Sequence, residues 1–161
     1  MLGLDPSLSS TGWGIIDTEG SRLKYVADGF IKTDPKLALQ DRLDLIYRTL
    51  CGIIEQYKPD ESSIEIIFLN DNPVSTIKLS HARGVVVLST GTYHVPLFEY
   101  EPNKVKKAIV GVGKAGKNQV ETMVKILLSG ITPKNNDASD ALAIAITHAH
   151  FRDSKARIMG N

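Results

Sequence analysis

Apolar and polar positions switch period several times along the chain, and each switch marks an element. Met1 to Leu4 is a short apolar run closing on Asp5, the length of a buried strand. "PSLSSTG" follows as a turn-rich link, and "WGIID" reads as a second strand. Asp17 to Ser21, with Gly20, predicts a hairpin turn into a third strand region, "LKYVADGFIKT". From Asp34-Pro35 the period becomes helical. Leu37, Leu39, Leu43, Ile46, Leu50, Ile53 and Ile54 recur at helical spacing as far as Tyr57, and Lys58-Pro59-Asp60 breaks the run. "SSIEIIF" is a β-branched strand with Glu65 inside it. "NPVSTIKLSHARGVVVLSTG" carries Pro73 near a helix start, and "VPLFEY" is a further strand. Pro102 opens a shorter helix to Val110, "GVGKAG" is a loop, and Lys117 to Leu128 and Ala138 to His148 are the last two helices.

The order β-β-β-α-β-α-β-α-α-α predicts an α/β domain built on a mixed five-stranded sheet. Three antiparallel strands come first, then parallel strands reached through crossover helices. Helices should cover both faces. At 161 residues the chain suits one domain, burying roughly 70% of its unfolded surface. The expected division is a single domain over 1–150 and a basic, flexible tail over 151–161. Cys51 is the single cysteine, which excludes an intramolecular disulfide and suits a reducing compartment such as the cytoplasm. No apolar run approaches the roughly 20 residues of a membrane span. "MLGLDPS" lacks the cationic start of a signal peptide.

Net charge is only +1, but it is unevenly spread. Between Glu101 and Gly130, Lys104, Lys106, Lys107, Lys114, Lys117 and Lys125 face only Glu101 and Glu121. The last ten residues add Arg152, Lys155 and Arg157 against Asp153. Such asymmetry fits an anionic partner such as a phosphate backbone, and equally a lysine-rich solvated face.

The acidic residues stand in less expected places. Asp5 ends a strand that should be central, where a bare carboxylate is costly unless paired or metal-bound; alternatively it starts the turn before Pro6. Glu65 suits the exposed face of an edge strand, but crossover helices on either side of its strand argue for an internal one. Asp137 and Asp140 suit a capped helix N-terminus, where negative charge is favoured. The four together suggest more than capping. They come from three distant parts of one small domain, and four anions can share a site only if cations neutralise them. Oxygen ligands without a His or Cys cluster point to Mg²⁺ or Mn²⁺, and two such ions would clamp an in-line phosphoryl displacement. The reading is a metal-dependent nuclease.

With these residues assembled, the chain resembles the RuvC family of bacterial crossover (Holliday) junction endonucleases, from residue 1 to about 150. The carrying segments are "LGLDPSLSSTGWGIID", "SSIEIIFLNDNPVSTIKLSHARG", "FEYEPNKVKKAIVGVGKAGKNQVETMVKILL" and "DASDALAIAITHAH". The resemblance implies a ribonuclease H-like fold, a homodimer, and Mg²⁺-dependent cleavage of four-way DNA junctions by paired symmetric nicks during recombination and repair. It implies 5′-phosphate and 3′-hydroxyl ends, two ions per site with Mn²⁺ able to substitute, and a branch-migration helicase complex as partner. A bacterial cytoplasmic, nucleoid-associated location follows from the same likeness.

By motif position, Asp5, Glu65, Asp137 and Asp140 become the catalytic metal ligands, and Lys106 and Lys117 stabilise the scissile phosphate. Lys104, Lys107 and Lys114 join these two lysines on DNA. Phe68 matches an aromatic that stacks on junction bases, with a core position closing its strand as the alternative. Ser7, Ile66, Ser80 and Val112 depart from the family pattern, and none replaces a carboxylate. His148 and His150 suit core or helix-end roles. The helix after Pro73, with Ile77, Leu79 and Val85 to Leu88, is the candidate dimer face, although a buried helix would show the same pattern. Two other readings remain: a non-catalytic module that binds branched DNA, and a relative of the actin-like ATPases. The latter need a duplicated domain that 161 residues do not supply.

Overall fold

The computed structural model describes residues 1–67 and 72–159, the side chains beyond 152 excepted. Strands β1 (Leu2–Asp5), β2 (Ser10–Glu19), β3 (Arg22–Lys32), β4 (Ser62–Glu65) and β5 (Leu97–Tyr100) form one sheet in the order β3-β2-β1-β4-β5. β1 is central, antiparallel to β2 and parallel to β4, and β5 runs parallel outside β4. Helices α1 (Leu39–Tyr57) and α2 (Pro73–Thr92) cover one face. Helices α3 (Pro102–Val110), α4 (Lys117–Leu127) and α5 (Asn136–Met159) cover the other. This is the mixed sheet that the element order predicts. Among the described residues no helix is long and apolar enough to cross a membrane.

Strand alternation sorts the side chains between the two layers. Leu2, Leu4, Trp13, Ile15 and Ile64 pack against Ile46, Leu50, Ala82 and Val86 of α1 and α2. On the opposite face α5 lies directly on the strands, because glycines leave room for its backbone. A Cβ on Gly3 would run into the Ala141 carbonyl oxygen, and one on Gly12 into that of Asp137. α5 is apolar nearly all round from Ala138 to Ala149 and is buried between the sheet and α3 and α4, as such a helix must be.

Several boundaries differ from the sequence expectation. Ser10, Thr11 and Gly12 belong to β2 rather than to the preceding link, because β3 supplies pairing partners at Lys32, Ile31 and Phe30. Cross-strand pairing here outweighs the turn preference of serine and glycine. β4 ends at Glu65, so that residue closes the strand instead of lying inside it. Asp34 does not start α1. Its carboxylate accepts a bond from the Lys36 amide (2.9 Å) and makes a separate turn, after which α1 begins at Leu39. Asn135, not Asp137, caps α5, its Oδ1 accepting from the Ala138 amide at 2.8 Å. α5 also runs on to Met159 rather than stopping at His148.

Candidate active site

β1 and β4 run parallel and end side by side, one step beyond the Leu4–Ile64 pair, on Asp5 and Glu65. Both carboxylates share the face that carries α5. Gly3, two positions before Asp5, abuts Ala141, and the Ser63 hydroxyl, two before Glu65, lies 3.4 Å from the Ile144 carbonyl. Gly12 is the cross-strand partner of Asp5 and lies beneath Asp137. The close approach of α5 therefore sets its first turn over the end of β1.

Asp5, Glu65 and Asp140 line one cleft of about 290 Å³ together with Lys106 of α3 and Lys117 of α4. Pro102, Val105, Val120, Ala143 and Ile144 complete its wall. Lys117 Nζ meets Asp140 Oδ2 at 2.9 Å. Asp137 is not part of that lining; its carboxylate accepts from the Ser10 hydroxyl (2.5 Å) and the Asn135 side-chain amide (2.9 Å). Because Asn135 does the capping, the Asp137 carboxylate is free to turn towards β2.

The electrostatics record the crowding. Burial, then Asp140, Asp137 and Glu65, push the Asp5 carboxyl up to about 8, with Lys117 partly offsetting them. Burial and Asp140 also raise Glu65, against Lys106. The bond to Asp140 raises Lys117. Among the described residues no three His, Cys, Asp or Glu side chains stand at metal-ligand spacing as they are. The donor set is nonetheless all carboxylate oxygen and open on one side. That fits Mg²⁺, which keeps several waters and takes one or two carboxylates plus substrate phosphate rather than an all-protein cage.

The structure separates the other expected contacts. Lys104 lies over the Phe151 ring at 4.2 Å and the Tyr100 ring at 5.6 Å, away from the cleft lining. Lys107, in the last turn of α3, and Lys114 are exposed outside the lining. Phe68 lies outside the described residues, as do the side chains of Lys155 and Arg157 in the expected tail. His148 is buried, stacked on Phe98 (centroids 4.4 Å apart), with Nδ1 2.8 Å from the Tyr100 hydroxyl and Nε2 3.1 Å from Glu61. Burial lowers its pKa, with Glu61 opposing. Ser10 and the glycines beneath α5 are the contributors that sequence reasoning missed. The alternation of Gly12 and Gly14 along one strand face was the available signal.

A family model described as crossover junction endodeoxyribonuclease RuvC matches residues 1–148. The crossover junction endodeoxyribonuclease RuvC of Xanthobacter autotrophicus is 50% identical over 157 residues, covering 98% of this chain and 93% of its own length. That of Sphingopyxis alaskensis is 51% identical over 152 residues, covering 94% and 97%. Among solved structures, Thermus thermophilus RuvC in complex with Holliday junction substrate superposes with a TM-score of 0.90 at 28% identity, over 96% of this chain and 94% of that one. The yeast mitochondrial Holliday junction resolvase, at 15% identity and a TM-score of 0.63, shares the fold. The mixed sheet with its three-helix cover is thus the ribonuclease H-like arrangement of these resolvases. By sequence along nearly its whole length and by fold, this chain belongs to the RuvC family of crossover junction endodeoxyribonucleases.

Proposed function

We propose that this chain resolves four-way DNA junctions by paired, metal-dependent nicks in recombination and repair, leaving 5′-phosphate and 3′-hydroxyl ends. The observation that carries the reading is the gathering of Asp5, Glu65 and Asp140 with Lys106 and Lys117 in one cleft at the ends of two parallel strands. A module that only binds DNA has no use for carboxylates there, since they repel phosphate. Asp5, Glu65, Asp137 and Asp140 are the residues that would hold Mg²⁺, two ions per site, with Mn²⁺ as a substitute. Bound there, such ions would supply activation of the attacking water and stabilisation of the leaving 3′-oxygen.

The chain's own part is positioning and charge balance. Ser10 and Asn135 orient Asp137, and Lys117 holds Asp140. The ammonium groups of Lys106 and Lys117 offset repulsion between the carboxylates and an entering phosphodiester, and stabilise the charge that builds on its oxygens. The test incubates a synthetic four-way junction and a linear duplex with the protein, in Mg²⁺ and in a chelator. Symmetric nicks in the junction alone, and only with metal, are expected. Nicking in chelator, or equal cutting of the duplex, would refute the reading.

A twofold dimer would place two sites on opposed strands, so paired nicks follow from symmetry. Val74, Ile77 and Leu88 of α2 are 59%, 56% and 59% exposed and support α2 as that interface. Val86, included in the interface expected from sequence, is instead core. Ile77→Asp would bury an unpaired charge at such an interface. It should weaken dimerisation at least tenfold in sedimentation, because that burial costs several kcal/mol. An unshifted equilibrium would place the interface elsewhere. A branch-migration helicase complex in the bacterial cytoplasm, at the nucleoid, completes the proposed setting.

A further inference from the structure

We propose a second DNA-contacting element, resting on the junction-nuclease reading: a phosphate-binding groove beside the active cleft, on the α1–α2 side of the sheet. It takes the sugar–phosphate backbone of the strand that carries the scissile phosphate. The groove has a volume of about 500 Å³ and is lined by Ser7, Ser9, Arg42, Ser75 and Lys78, among others. It begins at Pro6, the residue after Asp5. Two residues of chain span at most about 7 Å. The Ser7 end of the groove therefore lies within about 7 Å of Asp5 along the chain, close enough for one DNA strand to meet both.

Its chemistry is that of an anion site. Arg42 and Lys78 line it, and among the described residues no carboxylate does. Asp34 is near in sequence, but it does not line the groove and accepts from the Lys36 amide. Arg42 is fixed in place: Nε donates to Thr33 Oγ1 at 2.8 Å and Nη2 to the Leu8 carbonyl at 3.1 Å. Among the described residues it has no acidic partner. A guanidinium ordered by neutral groups, with donors to spare, suits phosphate.

The turn is ordered too. The Ser7 amide donates to Thr11 Oγ1 (3.3 Å), the Thr11 hydroxyl to the Ser7 carbonyl (2.7 Å), and the Ser9 amide to Ser7 Oγ (3.3 Å). Ser75 lies in the first turn of α2, where the helix dipole favours negative charge. Among the described residues no aromatic ring lines the groove. It would read the backbone, not the bases, and so add affinity without sequence preference.

The test is junction binding in chelator over a range of salt concentrations, with Lys78→Ala and Ser9→Asp. Both side chains are exposed, so the fold should survive, and unchanged melting would check it. Each variant should bind about three- to tenfold more weakly, with the slope of log K against log salt reduced by about one for Lys78→Ala. Ser9 lies off α2, so loss of an α2 dimer would not reproduce its effect. Wild-type affinity in either variant overturns the groove. Lower dimerisation by Lys78→Ala at an unchanged salt slope also overturns it and assigns the surface to a second copy. A wild-type protein that ignored junctions would refute the junction reading itself, a result distinct from wild-type binding that the variants fail to weaken.

Discussion

Asp5→Asn is expected to abolish nicking, by about a thousandfold or more, while junction binding in chelator stays within about twofold of wild type. The amide keeps the shape of the side chain but removes the ionisable oxygen that a metal ion would need at the centre of the carboxylate set, near Asp140, Asp137 and Glu65. The lysines proposed to contact phosphate are untouched, so binding should survive. Unchanged nicking by this variant would rule out the carboxylate cleft as the catalytic centre.

The same substitution should make the metal-free protein more stable. The Asp5 carboxyl rises from 3.8 to about 8 on folding, so the folded chain holds its proton more tightly than the unfolded one. Stability from that proton is full below pH 4 and is lost as pH climbs through about 8. In chelator, wild type should melt lower at pH 8.5 than at pH 6, and Asp5→Asn should flatten that dependence. A gain of at least about 1 kcal/mol at the higher pH corresponds to roughly 2–4 °C. Gain of stability with loss of activity is the mark of a site held together against its own repulsion.

The second large effect concerns Gly3. Gly3→Val places atoms where the Ala141 carbonyl and the Ala145 amide already lie, and both are helix backbone that does not yield as a side chain would. The expected loss is about 3 kcal/mol, at the upper end for overpacking, or about 6–12 °C in melting temperature. Because α5 carries Asp137 and Asp140, nicking should fall even at temperatures where the variant remains folded. Gly52→Ala in α1 meets nothing within 4 Å and should instead stabilise by about 0.5–1 kcal/mol. Equal melting of the two variants would show that α5 has more freedom over the sheet than its packing implies.

Strand and helix order was legible because each element keeps one hydrophobic period, from "MLGL" to the run Ile46, Leu50, Ile53 and Ile54. The acidic residues were legible because each is out of keeping with its element. Asp5 ends a buried strand, and Asp140 is surplus to any cap. What sequence could not show arises between elements. Ser10 looked like part of a turn until β3 paired with it. The Asn135 cap and the Asp137 contact to Ser10 depend on how α5 descends onto Gly12. Lys104 has the same composition and neighbourhood as Lys106 in sequence, but helix rotation gives one to two aromatic rings and the other to the cleft. A charge run does not carry that distinction.

α5 is fixed at two places: at Gly12 and Ser10 beneath its first turn, and at His148, which is locked between Tyr100 and Glu61. A helix advances 1.5 Å and turns 100° per residue. Deleting one residue between Asn135 and His148 would leave either the acidic turn or the buried imidazole facing the wrong way, with no loop between them to absorb the error. At the Gly20 hairpin an added Cβ would meet nothing within 4 Å, so that turn has room to lengthen. In this chain a change of length should be tolerated at such a rim, whereas the span that sets the cleft behaves as a ruler whose graduations cannot be moved.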